Sequence, residues 1–407
     1  MKNDNIIFIT KDAFCKDYLP CYGNKYWSGY TPNIDELVKK GSVFKRHYTG
    51  APSTVMSNMC MFTGLYPHES ELSHYSLSGI HYKGDTLWTK AEDDRYECHI
   101  IWDEAWHSVF KMEQRYYCYG ENTTIHNLKD IRQGVGAHYL HGDSLKRNDN
   151  KTEYVYLKIE NEISKIMKDA KKSVFLWMHI PHVINGRTGY GTDIDAFDYI
   201  VGIARRHFSD DNIFIAADHG NMNGKKGKVG YGHDVYETAI NIPLITPRLC
   251  EQKTIETITS NVDITTIIFD RKIPQREFVY SDSTFYAQPN RKLAIITDNY
   301  KYIYNKHSKK EELYDLRTDP IENCNLISDK IYDVDRHVTT PLKELYFYPF
   351  WDELEAVRSY FREKKNKIWK TGTFKEEFIP SLKFQVQTHG YYQLTQILSM
   401  IKKKLKN

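Results

Sequence analysis

No Cys-x-x-Cys pair occurs in this sequence, and its seven cysteines are widely scattered (Cys15, Cys21, Cys60, Cys98, Cys118, Cys250, Cys324). An odd, dispersed set argues against a disulfide framework or a zinc knuckle. It fits buried thiols in a reducing compartment. Long hydrophobic runs are missing too: nothing approaches the roughly 18 apolar residues that span a bilayer. The apolar run in "MKNDNIIFITKDAF" is six residues, too short for the core of a secretory signal, and Lys11 and Asp12 follow it at once. Neither sign of charge dominates. A net charge of +3 gives no whole-chain electrostatic case for a nucleic-acid partner. Internal repeats and low-complexity segments are absent. These absences lead us to expect a cytoplasmic chain without nucleic acid as a partner.

What is present is a globular composition. Apolar residues make up 41% of 407 and charged residues 27%, enough for one large domain with an appendage, or two domains. "NIIFIT" (5–10), "YECHIIW" (96–102), "SVFLWMHI" (173–180) and "NIFIAADHG" (212–220) read as buried strands. Between them, "TPNIDELVKKGSVF" (31–44) opens a helix at Pro32 and stops it at Gly41. "YVYLKIENEISKIMKDAKK" (154–172) and "DIDAFDYIVGIARRHF" (193–208) read as further helices. Apolar strands alternating with helices predict an α/β fold with a mostly parallel sheet flanked by helices, over residues 1–274. From 275 to 330 the texture changes to short strands ("FVYSDS", "KLAIITDN", "YKYIYNK"), which predict a small antiparallel sheet. Residues 331–407 read as a charged helical extension. Its basic end, "SMIKKKLKN", suits peripheral contact with an anionic inner membrane face, each basic residue there contributing about 1 kcal/mol.

In an open parallel sheet, ligands sit beyond the carboxyl ends of the strands. Three predicted strands end in groups that suit a metal or an anion: Asp12 after the first, His179 and His182 at the third, and Asp218-His219 at the fourth. Singly, each is an ordinary turn or cap residue. Together they form a convergent carboxylate and imidazole cluster. The segment "APSTVMSNMCMFTGLYPHES" (51–70) adds Ser53, Thr54 and Cys60 near a helix start, with Gly64 as its stop. Ser53 or Thr54 can act as an N-cap, and the free N–H groups there would favour an anion. A threonine hydroxyl becomes a nucleophile only when a base or a metal lowers its pKa, and a hard cation on Asp12, Asp218 and His219 would do so.

Taken in chain order, these segments resemble the sulfatase branch of the alkaline phosphatase superfamily. The similarity runs through "TPNIDELVKKGSVFKRHYTGAPS", "TGLYPHE", "FLWMHIPHV", "IAADHGN", "GHDVYETAINIPLI" and "NYKYIYNKHSKKEELYDLRTDPIENCNLISD". The resemblance implies an alkaline phosphatase-like fold. Counting back from Pro67, it puts Thr54 at the nucleophile position, where sulfatases carry the cysteine that becomes formylglycine. No formylglycine is therefore expected, and Cys60 becomes a packing residue. Asn58 stands where the family has an arginine, Ala13 replaces the second acid of the first-strand pair, and Met178 occupies the place of a second-metal aspartate.

These departures imply a phosphoryl enzyme similar to phosphoethanolamine and phosphoglycerol transferases or to phosphodiesterases. The expected metal ligands are Asp12, Thr54, Asp218 and His219, holding one divalent cation. Mn²⁺ or Zn²⁺ suits such a mixed set better than Ca²⁺ or Mg²⁺. Expected substrate contacts are Asn58, His182, His233 and Lys228, with His182 or His233 protonating the leaving oxygen. The partners implied are a phosphoester donor and a glycan or lipid-linked acceptor, as in cell-envelope polysaccharide synthesis. Hydrolysis of sulfate or phosphate esters is the alternative activity, and a binding protein that keeps the fold without catalysis is the second.

Overall fold

The computed structural model describes residues 4–23, 31–69, 84–103, 122–129, 131, 150–182, 191–228, 230–283, 291–327, 330–333, 338–341 and 348–371. In chain order the first strands are β1 (Ile6–Lys11), β2 (Ser42–Phe44), β3 (His47–Tyr48), β4 (Tyr96–Asp103), β5 (Thr124–Leu128) and β6 (Ser173–Ile180). They are followed by β7 (Ile213–Ala217), β8 (Asn241–Ile242), β9 (Leu244–Thr246), β10 (Thr254–Ile255) and β11 (Thr259–Ser260). Eight of these form a central sheet in the order β10-β2-β9-β7-β1-β6-β4-β5. Every pairing in it is parallel except those of β9 with β2 and β7. A small sheet, β11-β3-β8, stands apart from it.

Strands β1 and β6 are buried at every position, because helices cover both faces. The helices are α1 (Pro32–Lys40), α2 (Thr54–Thr63), α3 (Leu87–Asp93), α4 (Asn150–Asp169) and α5 (Gly191–His207). The period of two sorts the strand side chains between the two faces. Ile7 and Ile9 face one core with Leu176 and Met178, beneath α1, α4 and α5. Ile6 and Phe8 face the other core with Phe175 and Trp177, under α2 and α3. Helix α1 starts at Pro32 and closes with the Gly41 N–H on the Leu37 carbonyl. It stops at Gly41 as the sequence predicts, and Ser42–Phe44 then pair with β9 and β10.

The antiparallel sheet follows as β12 (Val279–Asp282), β13 (Lys292–Ile296), β14 (Tyr300–Asn305) and β15 (Glu311–Asp315). A hairpin comes next, of β16 (Lys330–Asp333) and β17 (Val338–Pro341). The helical expectation from residue 331 missed it, although Ile331, Tyr332, Val338, Thr339 and Thr340 are all strand formers. A long helix, α6 (Tyr348–Thr371), lays Leu354, Phe361 and Ile368 against Tyr302 and Leu313 of the antiparallel sheet. These three residues recur every seven positions, one face of a helix. The basic end of the chain lies outside the described residues, and so does residue 183 in "FLWMHIPHV". Among the described residues no helix is long and apolar enough to cross a membrane.

Candidate active site at the carboxyl ends of the central strands

Sheet register builds the site. Lys11, the last residue of β1, lies opposite Ile180 of β6 on one side and Ala217 of β7 on the other. The residues just beyond these three ends therefore emerge side by side. They are Asp12, His182 and Asp218-His219, all buried. The Asp12, Asp218 and His219 ligand atoms lie within 4.8 Å of one another. His179 sits one step earlier, on β6, where its Nδ1 meets the Thr10 hydroxyl at 2.8 Å. Burial pushes its pKa down to about 4, so it stands beside the cluster as a neutral ring rather than as a member of it.

Backbone donors fix the acids. The Ala13 and His219 N–H groups donate to Asp218 Oδ1 at 3.0 and 2.6 Å, and the His182 N–H donates to Asp12 Oδ2 at 3.3 Å. Ala13 reaches its partner through a left-handed turn, φ +52°. This position thus supplies a backbone donor instead of a second carboxylate. His219 Nδ1 is 2.8 Å from the Gly220 carbonyl. A carbonyl only accepts, so the Nδ1 proton is held there and Nε2 turns a lone pair toward the cluster in the neutral ring. Gly220 itself has no alternative: a Cβ at this position would stand 2.1 Å from the Thr238 carbonyl oxygen.

Thr54 is the first residue of α2, directly after Ser53 at the N-cap position, whose side chain caps nothing. The Thr54 hydroxyl oxygen lies 3.3 Å from Asp12 Oδ1 and 3.1 Å from His219 Nε2. Cys60 is buried in the hydrophobic core with Tyr66 and Tyr280, and burial raises its thiol well above the ordinary value. Its surroundings are those of a packing residue.

The start of α2 is pinned by residues that sequence reasoning missed. Ser57 donates to the Asp218 carbonyl at 2.5 Å. Its hydroxyl also accepts from Thr49 at 2.9 Å and from the Asn261 amide at 2.9 Å. Tyr231 lays its ring 4.5 Å from the His219 imidazole. Only the three-residue spacing of Ser57 from Thr54 hints at any of this. The Asn261 contact joins positions about two hundred residues apart.

Of the expected substrate contacts, Asn58 is fully buried one turn beyond Thr54, on the same side of the helix. Neither of its amide atoms has a hydrogen-bond partner among the described residues. His182 is buried at the end of β6. His233 is exposed. The Lys228 ammonium sits 2.8 Å from both Asp234 oxygens, an acid it shares with Lys292.

The residues fit a divalent cation. Asp12 and Asp218 form a tightly coupled buried pair. Burial pushes both upward, but His219, His182, His179 and Lys11 together hold Asp12 below its ordinary value. Asp218 is raised to about 7 by burial, and the Asp12 charge adds to this against the opposing His219. Two carboxylates this close repel, and a cation between them relieves the repulsion. Asp218 Oδ2 is buried with no hydrogen-bond partner among the described residues, an open oxygen facing the cluster. Two carboxylates and one imidazole are a donor set that suits Mn²⁺ or Zn²⁺.

The family model named Sulfatase matches residues 4–183, which include Asp12, Thr54, Asn58 and His182. Over those residues the chain is similar to sulfatases. Solved structures share this sulfatase-like fold over most of their length. One is a 2-O GAG sulfatase, with a TM-score of 0.60 and 15% identity, covering 91% of this chain and 93% of that one. Another is the phosphonate monoester hydrolase of Agrobacterium radiobacter, also at 0.60 and 15%, covering 90% and 96%. In sequence, the choline-sulfatase of Rhizobium meliloti (strain 1021) is 25% identical over 46% of this chain and 42% of its own. The chain spans less than half the length of the curated relatives it matches.

Proposed function

We propose that this sulfatase-like chain is a metal-dependent enzyme that acts on phosphoesters through Thr54. The observation that carries this is the Thr54 hydroxyl, placed between Asp12 Oδ1 and His219 Nε2 at the mouth of the carboxylate pair. Asp12, Asp218 and His219 would hold the cation. When bound, it would lower the pKa of the Thr54 hydroxyl and offset negative charge on the reacting group.

The chain's own residues do the rest. The Thr54 proton lies within reach of Asp12 Oδ1 and His219 Nε2, and the freed oxygen attacks phosphorus in line with the ester oxygen. The P–O bond to threonine forms as the P–O bond to the leaving alcohol breaks. His182 or His233 supplies the proton that this alcohol takes. The Asn58 amide and the first N–H groups of α2 receive charge on the phosphoryl oxygens. A second hydroxyl then takes the group from Thr54. When it belongs to water the enzyme is a hydrolase. When it belongs to a glycan or lipid-linked acceptor the enzyme is a transferase of the phosphoethanolamine or phosphoglycerol type. We favour phosphoesters over sulfate esters because a threonine has no thiol from which the formylglycine aldehyde is made, and among phosphoester enzymes we favour the transferase type that the sequence resembles.

Intact-mass measurement after quenching with Mn²⁺ and an aryl phosphodiester tests this. A phosphoryl adduct on Thr54, absent from Thr54→Ala, supports the reading. Turnover unchanged in Thr54→Ala sinks it. Sulfate esters are the second reading, favoured by the sulfatase names of the choline-sulfatase and the 2-O GAG sulfatase. Faster turnover of aryl sulfate than of aryl phosphate mono- and diesters would select it.

A further inference from the structure

Away from the metal ligands, a cavity of about 430 Å³ opens beside the loop after β1. Neither Asp12, Thr54, Asp218 nor His219 lines it. We propose that this cavity is a second, non-catalytic binding site for a small organic molecule bearing a phosphate or sulfate ester. The inference is independent of the chemistry proposed for Thr54.

Lys16, Lys45, Arg46, Lys225 and Lys226 all line the cavity. Its acids do not balance them. Glu237 and Glu322 are both engaged by the fully buried Lys301, at 3.1 and 2.8 Å. Asp17 is the third acid, and it pairs with no cation among the described residues. Lys16 donates to the Lys45 carbonyl at 2.8 Å, and Lys45 to the Cys21 carbonyl at 2.6 Å. Neither has a carboxylate within ion-pair distance among the described residues. Burial lowers the Lys16 pKa, with Glu237 and Asp17 opposing. A half-buried ammonium bonded to a carbonyl, with no carboxylate at ion-pair distance among the described residues, gains from an anion that joins it.

Tyrosine rings hold these cations in place. The Lys16 and Lys45 ammonium groups lie 5.9 and 5.0 Å from the Tyr22 ring centre. Lys226 lies 5.4 and 5.2 Å from Tyr236 and Tyr314. Lys226 also adopts a left-handed backbone, φ +54°, which aims it at those rings at a conformational cost. Ammonium groups fixed in advance on rings are the preorganised donors an oxyanion needs. The volume falls in the range of about 300–1,000 Å³ typical of small-molecule sites, larger than a lone ion requires. An ester with an organic portion therefore fits better than free phosphate.

Calorimetric titration of the full chain with glucose 6-phosphate and with glucose 6-sulfate, in chelator, tests the proposal. The expected result is single-site binding that persists in Thr54→Ala and weakens with added salt. Lys45→Glu and Lys226→Glu should each weaken it about tenfold or more. Lys226 is on a partly exposed loop, so its variant decides the matter even if Lys45→Glu fails to fold. Two results overturn the proposal: no heat at millimolar ligand, or binding that survives both charge reversals and is lost in Thr54→Ala. The latter would assign the ligand to the catalytic cluster.

Discussion

Asp12 and Asp218 lie at the ends of neighbouring parallel strands, and the protein treats them oppositely. Asp12 is held ionised by surrounding histidines and Lys11, while Asp218 is pushed up to about 7, chiefly by burial. A cation replaces that repulsion with attraction. Mn²⁺ or Zn²⁺ should therefore stabilise the fold, by about 2.7 kcal/mol at a hundredfold excess over Kd. Thermal melts with and without metal would measure this. Asp218→Asn should remove the metal-dependent part of the shift, and an equal shift in that variant would place the cation elsewhere.

Thr54→Ala should lower turnover of the reactive ester by about 10³-fold or more, because the covalent route is lost with the hydroxyl. Thr54→Ser keeps an oxygen in the same place and should retain part of the rate. Steady-state kinetics on an aryl phosphodiester distinguishes the two variants. Similar rates for both would mean that this oxygen does not attack.

Asn58 sets stability against function. Its buried amide has no partner among the described residues, and Leu is close to it in shape. Asn58→Leu should leave the fold unchanged or more stable by about 1–2 kcal/mol, while lowering kcat/KM. Urea unfolding alongside kinetics would show this opposition. A loss of stability together with full activity would reassign Asn58 to structure.

Glu311 ties α6 to the antiparallel sheet through Arg358 and Arg362, each at 2.7 Å. Burial would raise its carboxyl, but Arg362, Tyr302 and Arg358 outweigh this and hold it at about 2 rather than 4.5. A depressed acid contributes stability above its unfolded value and loses it as pH falls through the folded one. Docking of α6 should thus weaken from about pH 4.5 down to 2, seen as faster proteolysis within 348–371. Glu311→Gln should show faster cleavage at neutral pH and no further step in that window.

The ingredients of the site are legible in the sequence because each is a local signal. Strand ends, a helix start and the order of motifs are enough to single out Asp12, Thr54, Asp218 and His219. What stays hidden depends on distant partners. Lys228 reads as a substrate contact, and its pairing with Asp234 beside Lys292 shows only in the structure. Ser57 and Asn261 look like ordinary polar residues until the sheet brings them together. The hairpin at 330–341 reads as helix because its charged neighbourhood masks the short β-branched runs.

The register that sets Lys11 opposite Ala217 also fixes when the cluster can exist. Its carboxylates come from opposite ends of the catalytic region, about two hundred residues apart. A nascent chain cannot assemble the cluster until β7 has left the ribosome and paired with β1, one of the most non-local steps in the fold. Metal capture would therefore report that synthesis has passed β7, about half-way along the chain: a product ending before residue 218 would carry Thr54 but no centre to activate it.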